Sequence, residues 1–268
     1  MHAIFKILRQ TPRTCRFAVV SVEIAESGTP QVIVPEAVSA DRHWRREVEL
    51  GARHALRSLP KDAVPVRVRV TQVRATYVDT GVGDLYAAAA RAVWQALDIA
   101  HEHRNAGFSE PELVQAWLAD QVGRAVLDVT EARHRHPADD HDGNGLLHIW
   151  LRFEYRPTVM LHGVGDRLVI AVAEPYAPYD MSAQGQVSVG PMRSSNPLAT
   201  VVGARLFDGA VITTAGSPED ISGLLLRFDN GEVVIGSVGD EWVISASGVP
   251  AALAPHWRIG AWAGANNG

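Results

Sequence analysis

The sequence predicts an α+β fold: an N-terminal β-β-α-β-α layer, then a helix and a mainly antiparallel β region. Three observations predict it. Val66, Val68 and Val70 alternate with Arg67, Arg69 and Thr71, the period of a half-buried strand, and a glycine-containing turn carries this strand straight into a helical stripe. A second helical stripe lies between Asp41 and Pro60. Beyond residue 145 the apolar runs are short, alternating and separated by turn residues, with no helical period.

Taken in order, residues 15–26 (CRFAVVSVEIAE) read as a strand, and SGTP after them as a tight turn. QVIVPEAV reads as a second strand, expected to pair with the first as a hairpin. Asp41 is placed to cap a helix from Arg42 to Leu59, with Trp44, Val48, Ala52, Ala55, Leu56 and Leu59 inward and Arg45, Glu49, Arg53 and Arg57 outward. In the next strand the apolar phase slips after Gln72 to Val73, Ala75 and Tyr77, which implies a bulge near Thr71–Gln72 or burial of both faces there. The turn VDTGVGD ends on Asp84, expected as the N-cap of a helix with Leu85, Ala89, Ala92, Val93, Ala96 and Leu97 on one stripe. Its run of four alanines lets that helix lie close on a sheet.

Ser109-Glu110-Pro111-Glu112 has the form of a capping box, opening a helix expected to run from Leu113 through Trp117 and Leu118 to Val129. RHRHPADDHDGNG then reads as an exposed polar linker. The organisation expected is a domain over 1–107, a helix and linker over 108–145, and a β-rich domain over 146–268. Strands are expected at 146–155, 167–173, 186–189, 210–214, 223–229, 232–237 and 241–245, with Asn230-Gly231 as the turn of the hairpin FDNGEVV.

The segment from Phe17 to Ile99 resembles the fourth domain of elongation factor G. The resemblance rests on the two early strands, the helix ending in ARHALRSLP, and the strand VPVRVRVTQVRATYVDT running into a helix through an acidic turn. It implies the ribosomal-protein-S5 domain-2-like fold with a left-handed βαβ crossover, and a role near the ribosome. The family's longer glycine-rich loop is here only SGTP, and no G-x-x-x-x-G-K-[ST] occurs, so a translocase role does not follow. The unit GLLLRFDNGEVVIGSVGDEWVIS resembles small β-domains of uncharacterised actinobacterial proteins, some of which sit near toxin–immunity loci.

Composition bounds the functional classes. The net charge is −5, which excludes a bulk polyanion binder, but the charge is unevenly spread. Between Arg42 and Arg74 stand nine Lys/Arg against three Asp/Glu, whereas from His136 onward seven Arg face fourteen Asp/Glu. The single cysteine, Cys15, excludes an internal disulfide and suggests a reducing compartment, so a cytoplasmic location without membrane contact is expected.

No nucleophile elbow G-x-S-x-G and no H-E-x-x-H occurs, and no catalytic residue or cofactor is expected. Asp140, Asp142 and Asn144 fit the first half of a calcium loop and are the candidate metal ligands, although Leu151 stands where a bidentate Glu belongs. His134, His136 and His141 are alternative ligands for zinc or nickel on the same stretch. Arg13 and Arg16 beside Cys15 would lower its thiol pKa. Asp79 and Asp84 flank the glycine turn, where they would repel a phosphate at the helix start. Arg45, Arg53, Arg57, Arg67 and Arg69 form a basic face for an acidic protein or RNA, and with Asp79 and Asp84 of the glycine turn they make up the candidate binding set. The expectation is therefore a non-catalytic protein-binding protein, such as an immunity-type inhibitor of a toxin. A translation-linked RNA- or ribosome-binding protein, or an enzyme with an unrecognised site, are the alternatives.

Overall fold

The computed structural model describes residues 1–10, 15–100, 106–136 and 145–264. The chain divides into two compact units, Met1–Phe108 and Ser109–Gly268. The combination of helices and antiparallel-rich sheets is the α+β class read from the sequence.

The first unit contains β1 (His2–Gln10), β2 (Cys15–Glu26), β3 (Gln31–Ile33), α1 (Arg42–Arg57), β4 (Val66–Ala75) and α2 (Asp84–Ala96). Among the described residues its strands form one sheet in the order β1-β2-β4-β3, antiparallel except for β3 beside β4. The expected pairing of the first two predicted strands is not formed. Both edges of β2 are occupied, by β1 on one side and β4 on the other, and the three residues of β3 add in parallel to the far edge of β4. The partner of β2 across a hairpin is β1, a strand the sequence pattern concealed. Ala3, Phe5 and Ile7 face the core, but Ile4 and Leu8 point the other way, so AIFKIL shows no alternation.

The phase slip in β4 is a bulge at Thr71. Ser21 pairs with Gln72 and the next residue, Val22, pairs with Val70, which leaves Thr71 without a partner. Val66, Val68 and Val70 face Ala18, Val20, Val22 and Ile24 in a core covered by Val48, Ala52 and Ala55 of α1 and Leu85, Ala89, Ala92 and Val93 of α2. Asp41 caps α1 as expected, accepting from the N–H groups of His43 at 2.8 Å and Trp44 at 3.1 Å. α2 is buried almost all round because it packs on the sheet and against α1. Where the helices cross, a Cβ on Gly51 would lie 2.2 Å from the Tyr86 carbonyl oxygen, so only glycine permits that approach.

The second unit contains α3 (Pro111–Gln121), β5 (Val126–Arg135), β6 (Leu146–Phe153), β7 (Val159–Val164), β8 (Arg167–Val172), β9 (Tyr179–Asp180), β10 (Gln186–Pro191), β11 (Leu206–Thr214), β12 (Ser217–Phe228), β13 (Gly231–Val238), β14 (Glu241–Ser245) and β15 (Trp257–Trp262). Among the described residues two antiparallel sheets form, β8-β7-β6-β5-β10-β9 and β14-β13-β12-β11-β15. The helix expected to reach Val129 stops at Gln121, because Gly123 at φ 83° breaks it and Val126 and Val129 become core residues of β5. Arg133 and Arg135 of the expected linker close β5, paired with Leu146 and Gln186. The capping box at Ser109 is not made: Glu110 is the N-cap, and the Ser109 hydroxyl bonds to Asp220. The β12–β13 turn is Asp229-Asn230, one residue earlier than read, with Gly231 already paired to Phe228.

Candidate binding face

The pleat of the first unit's sheet sorts its side chains. Strand neighbours paired directly across a ladder share a face. The face away from the helices carries His2, Ile4, Lys6 and Leu8 of β1, Phe17, Val19, Ser21, Glu23 and Ala25 of β2, and Gln31 and Ile33 of β3. β4 adds Arg67 and Arg69 and, beyond the bulge, Gln72 and Arg74. The bulge matters here, because it returns Arg74 to the face that Arg67 and Arg69 occupy. Lys6, Arg67, Arg69 and Arg74 therefore share this face with a single carboxylate, Glu23. Ile4 and Leu8 on one edge strand and Ile33 on the other remain 50%, 64% and 41% exposed. An open groove of about 660 Å³ runs between Met1, His2, Glu23, Ile33, Arg67 and Arg69.

The sequence-derived arginines are split by this arrangement. Arg67 and Arg69 lie on the outer sheet face, while Arg45, Arg53 and Arg57 lie on α1, across the core from them. The helix arginines are also engaged locally. Arg53 pairs with Glu49 at 2.7 Å, and Arg45 donates to the Ser39 carbonyl at 2.6 Å. Lys6 was missed because β1 was missed.

Asp84 is not a free carboxylate at the turn. It is buried and takes two hydrogen bonds from the guanidinium of Arg16, the Nε one at 2.8 Å, while its other oxygen accepts from the Gly81 N–H at 2.9 Å. Asp84 is thus the first residue of α2 rather than its cap. The cap position is Gly83, at φ 93° and without a side chain to offer. Glu47 of α1 does the capping instead: its Oε1 accepts from the N–H groups of Gly83 at 2.8 Å, Leu85 at 2.9 Å and Tyr86 at 3.2 Å. Burial pushes the Glu47 carboxyl up to about 7, with Asp84 adding to the rise against those three N–H bonds.

Asp79 ties the β4–α2 turn together. Its N–H donates to the Thr76 hydroxyl, and its carbonyl accepts from the Phe17 N–H at 2.8 Å. The turn exposes Tyr77 by 81% and Val78 by 90%, with the Tyr77 hydroxyl bonded to Asp41 at 3.0 Å and its ring 4.8 Å from Trp44. Cys15 is exposed, and local desolvation and Asp79 hold its thiol above the ordinary range. The expected lowering by Arg16 fails because Arg16 is committed to Asp84.

Asp140, Asp142, Asn144 and His141 lie outside the described residues. Among the described residues no group of three or more His, Cys, Asp and Glu side chains assembles for a metal, and no helix is long and apolar enough to cross a membrane. No protein-family profile matches the chain, and no curated protein shows significant similarity to it.

Proposed function

We propose that the protein is a non-catalytic binding protein whose N-terminal unit engages an acidic macromolecular partner, another protein, through the outer face of its four-stranded sheet. One observation carries this reading: on a face that the helices leave uncovered, Arg67, Arg69 and Arg74 stand on the interior strand β4, with the exposed Ile4 and Leu8 flanking Lys6 on one edge strand and Ile33 on the other. A basic strip flanked by exposed apolar side chains offers an acidic protein both charge complementarity and apolar area to bury. An immunity-type inhibitor, blocking an acidic surface of a toxin, fits this reading. The resemblance of residues 17–99 to the fourth domain of elongation factor G, together with the parallel crossover from β3 through α1 to β4, supports RNA as the competing polyanion.

The test uses two variants that separate the two arginine sets. Arg67→Gln/Arg69→Gln/Arg74→Gln removes the outer-face charges, and Arg53→Gln/Arg57→Gln removes helix charges across the core. Partners are recovered from the native host and identified by mass spectrometry, and affinity is then measured against salt. A one-to-one protein complex weakened by the first variant and not by the second is the expected result. Salt-sensitive sedimentation with ribosomes, lost in the first variant, would transfer the reading to RNA. A partner lost equally in both variants would remove the sheet face from the argument.

A further inference from the structure

The outer side of the six-stranded sheet in the second unit holds a second arrangement of side chains. His148 of β6 and His162 of β7 are direct cross-strand partners, with ring centres 4.9 Å apart. β8 and β9 stand at opposite edges of this sheet, so the segment joining them must cross a face of it. That segment lays Tyr176 over the histidines: its hydroxyl is 2.8 Å from His148 Nδ1, and its ring packs at 5.1 Å on Trp150. His162 Nδ1 is buried and has no hydrogen-bond partner among the described residues. A polar nitrogen left in that state is costly unless something binds it.

We propose that His148, His162 and Tyr176 form a binding site for a borderline divalent transition metal, Zn²⁺ or Cu²⁺. Two imidazoles opposed across an antiparallel ladder supply nitrogen ligands from a rigid frame, the geometry that loop histidines lack. Imidazole nitrogens select zinc, copper and nickel over magnesium and calcium; the metal would replace the hydrogen bond between His148 Nδ1 and Tyr176, and the phenol oxygen, its proton released to solvent, would complete a three-point set with a position left open. The metal would satisfy His162 Nδ1 and bind the crossing segment to the sheet. This inference concerns the second unit and is independent of the binding face proposed for the first.

The experiment titrates the full chain with Zn²⁺ by calorimetry and with Cu²⁺ by tryptophan fluorescence, since the Trp150 ring lies 5.7 Å from that of His148 and Cu²⁺ there would quench it. One metal per chain is expected, with affinity falling about tenfold or more in His162→Asn and in Tyr176→Phe, the usual scale for losing a ligand or its support. Circular dichroism establishes that each variant is folded, and His148→Gln serves where His162→Asn is not. An anomalous-scattering peak between the three side chains in zinc-soaked crystals would place the ion directly. Absence of saturable binding at roughly 100 µM metal, a scale far weaker than functional sites, overturns the proposal. So does binding that survives these substitutions but is lost when His134, His136 and His141 are replaced, or binding that needs the histidines and ignores Tyr176.

Discussion

Replacing Glu47 by Gln should abolish a pH dependence of stability that belongs to the N-terminal unit. In the folded chain the Glu47 carboxyl is raised from an ordinary 4.5 to about 7, chiefly by burial. The folded state therefore holds this proton more tightly than the unfolded chain does. The stabilisation is complete below the unfolded value of 4.5 and is lost as pH rises through about 7. At about 1.4 kcal/mol for each pH unit between the two values, the loss is roughly 3 kcal/mol, more than a hundredfold in the opening equilibrium. Hydrogen exchange of the α2 amides, corrected for intrinsic rates, should show wild-type protection falling by that order between about pH 5 and pH 7.5 and levelling beyond. In Glu47→Gln the amide oxygen can still accept from Gly83, Leu85 and Tyr86, so the cap survives while the titrating group is gone. The variant should be flat across the same window. Contributions common to both proteins cancel in the difference between them. A flat wild-type profile, or a slope retained in Glu47→Gln, would refute the burial argument.

Three further outcomes follow from the same packing. Gly51→Ala should destabilise the first unit by about 2 kcal/mol in urea denaturation although alanine favours helix by roughly 1 kcal/mol, because the added methyl meets the Tyr86 backbone; a neutral result would mean that α1 can move away from α2. Arg16→Met should cost about 3–5 kcal/mol by leaving Asp84 buried and unpaired, and Arg16→Met/Asp84→Leu should recover part of it; a double variant no better than the single would deny the pairing. Val68→Asp should lower the melting temperature sharply, since an unpaired carboxylate in that core costs several kcal/mol; an unchanged melting temperature would contradict the packing of β4 under the helices.

What was legible in the sequence followed the elements whose own neighbours determine them. The alternation at Val66, Val68 and Val70, the Asp41 cap and the bulge at Thr71 are local, and each stands as read. The failures involve partners distant in sequence. The Glu47 cap joins α1 to α2 across 36 residues, and no spacing rule connects a mid-helix glutamate to a glycine turn. Asp84 looked like a cap because its neighbours are cap-like, but Arg16, 68 residues away, claims its carboxylate. β1 and β5 were missed for a related reason. A strand apolar on both faces, or one whose i,i+3 residues also fit a helix, is ambiguous until its neighbour in the sheet is known. The cross-strand meeting of His148 and His162 is of the same kind, since it depends on the register of β6 with β7.

The basic stretch from Arg42 to Arg74 shows how such register turns a count into a surface. As a linear tally it is one patch of nine positive residues. In the fold, a helix and a strand on either side of the core divide it. The helix share is partly neutralised by Glu49 and by backbone carbonyls, and among the described residues Arg67 and Arg69 have no carboxylate within ion-pair distance. Charges without an internal partner contribute little to folding, so their removal should leave stability nearly unchanged. The α1 pairs at i,i+3 and i,i+4 contribute a few tenths of a kcal/mol to the helix. Binding and stability thus fall to different arginines. The strand set sits beside exposed Ile33 with its charge available to a partner, which is why the sheet face rather than the helix face carries the functional reading.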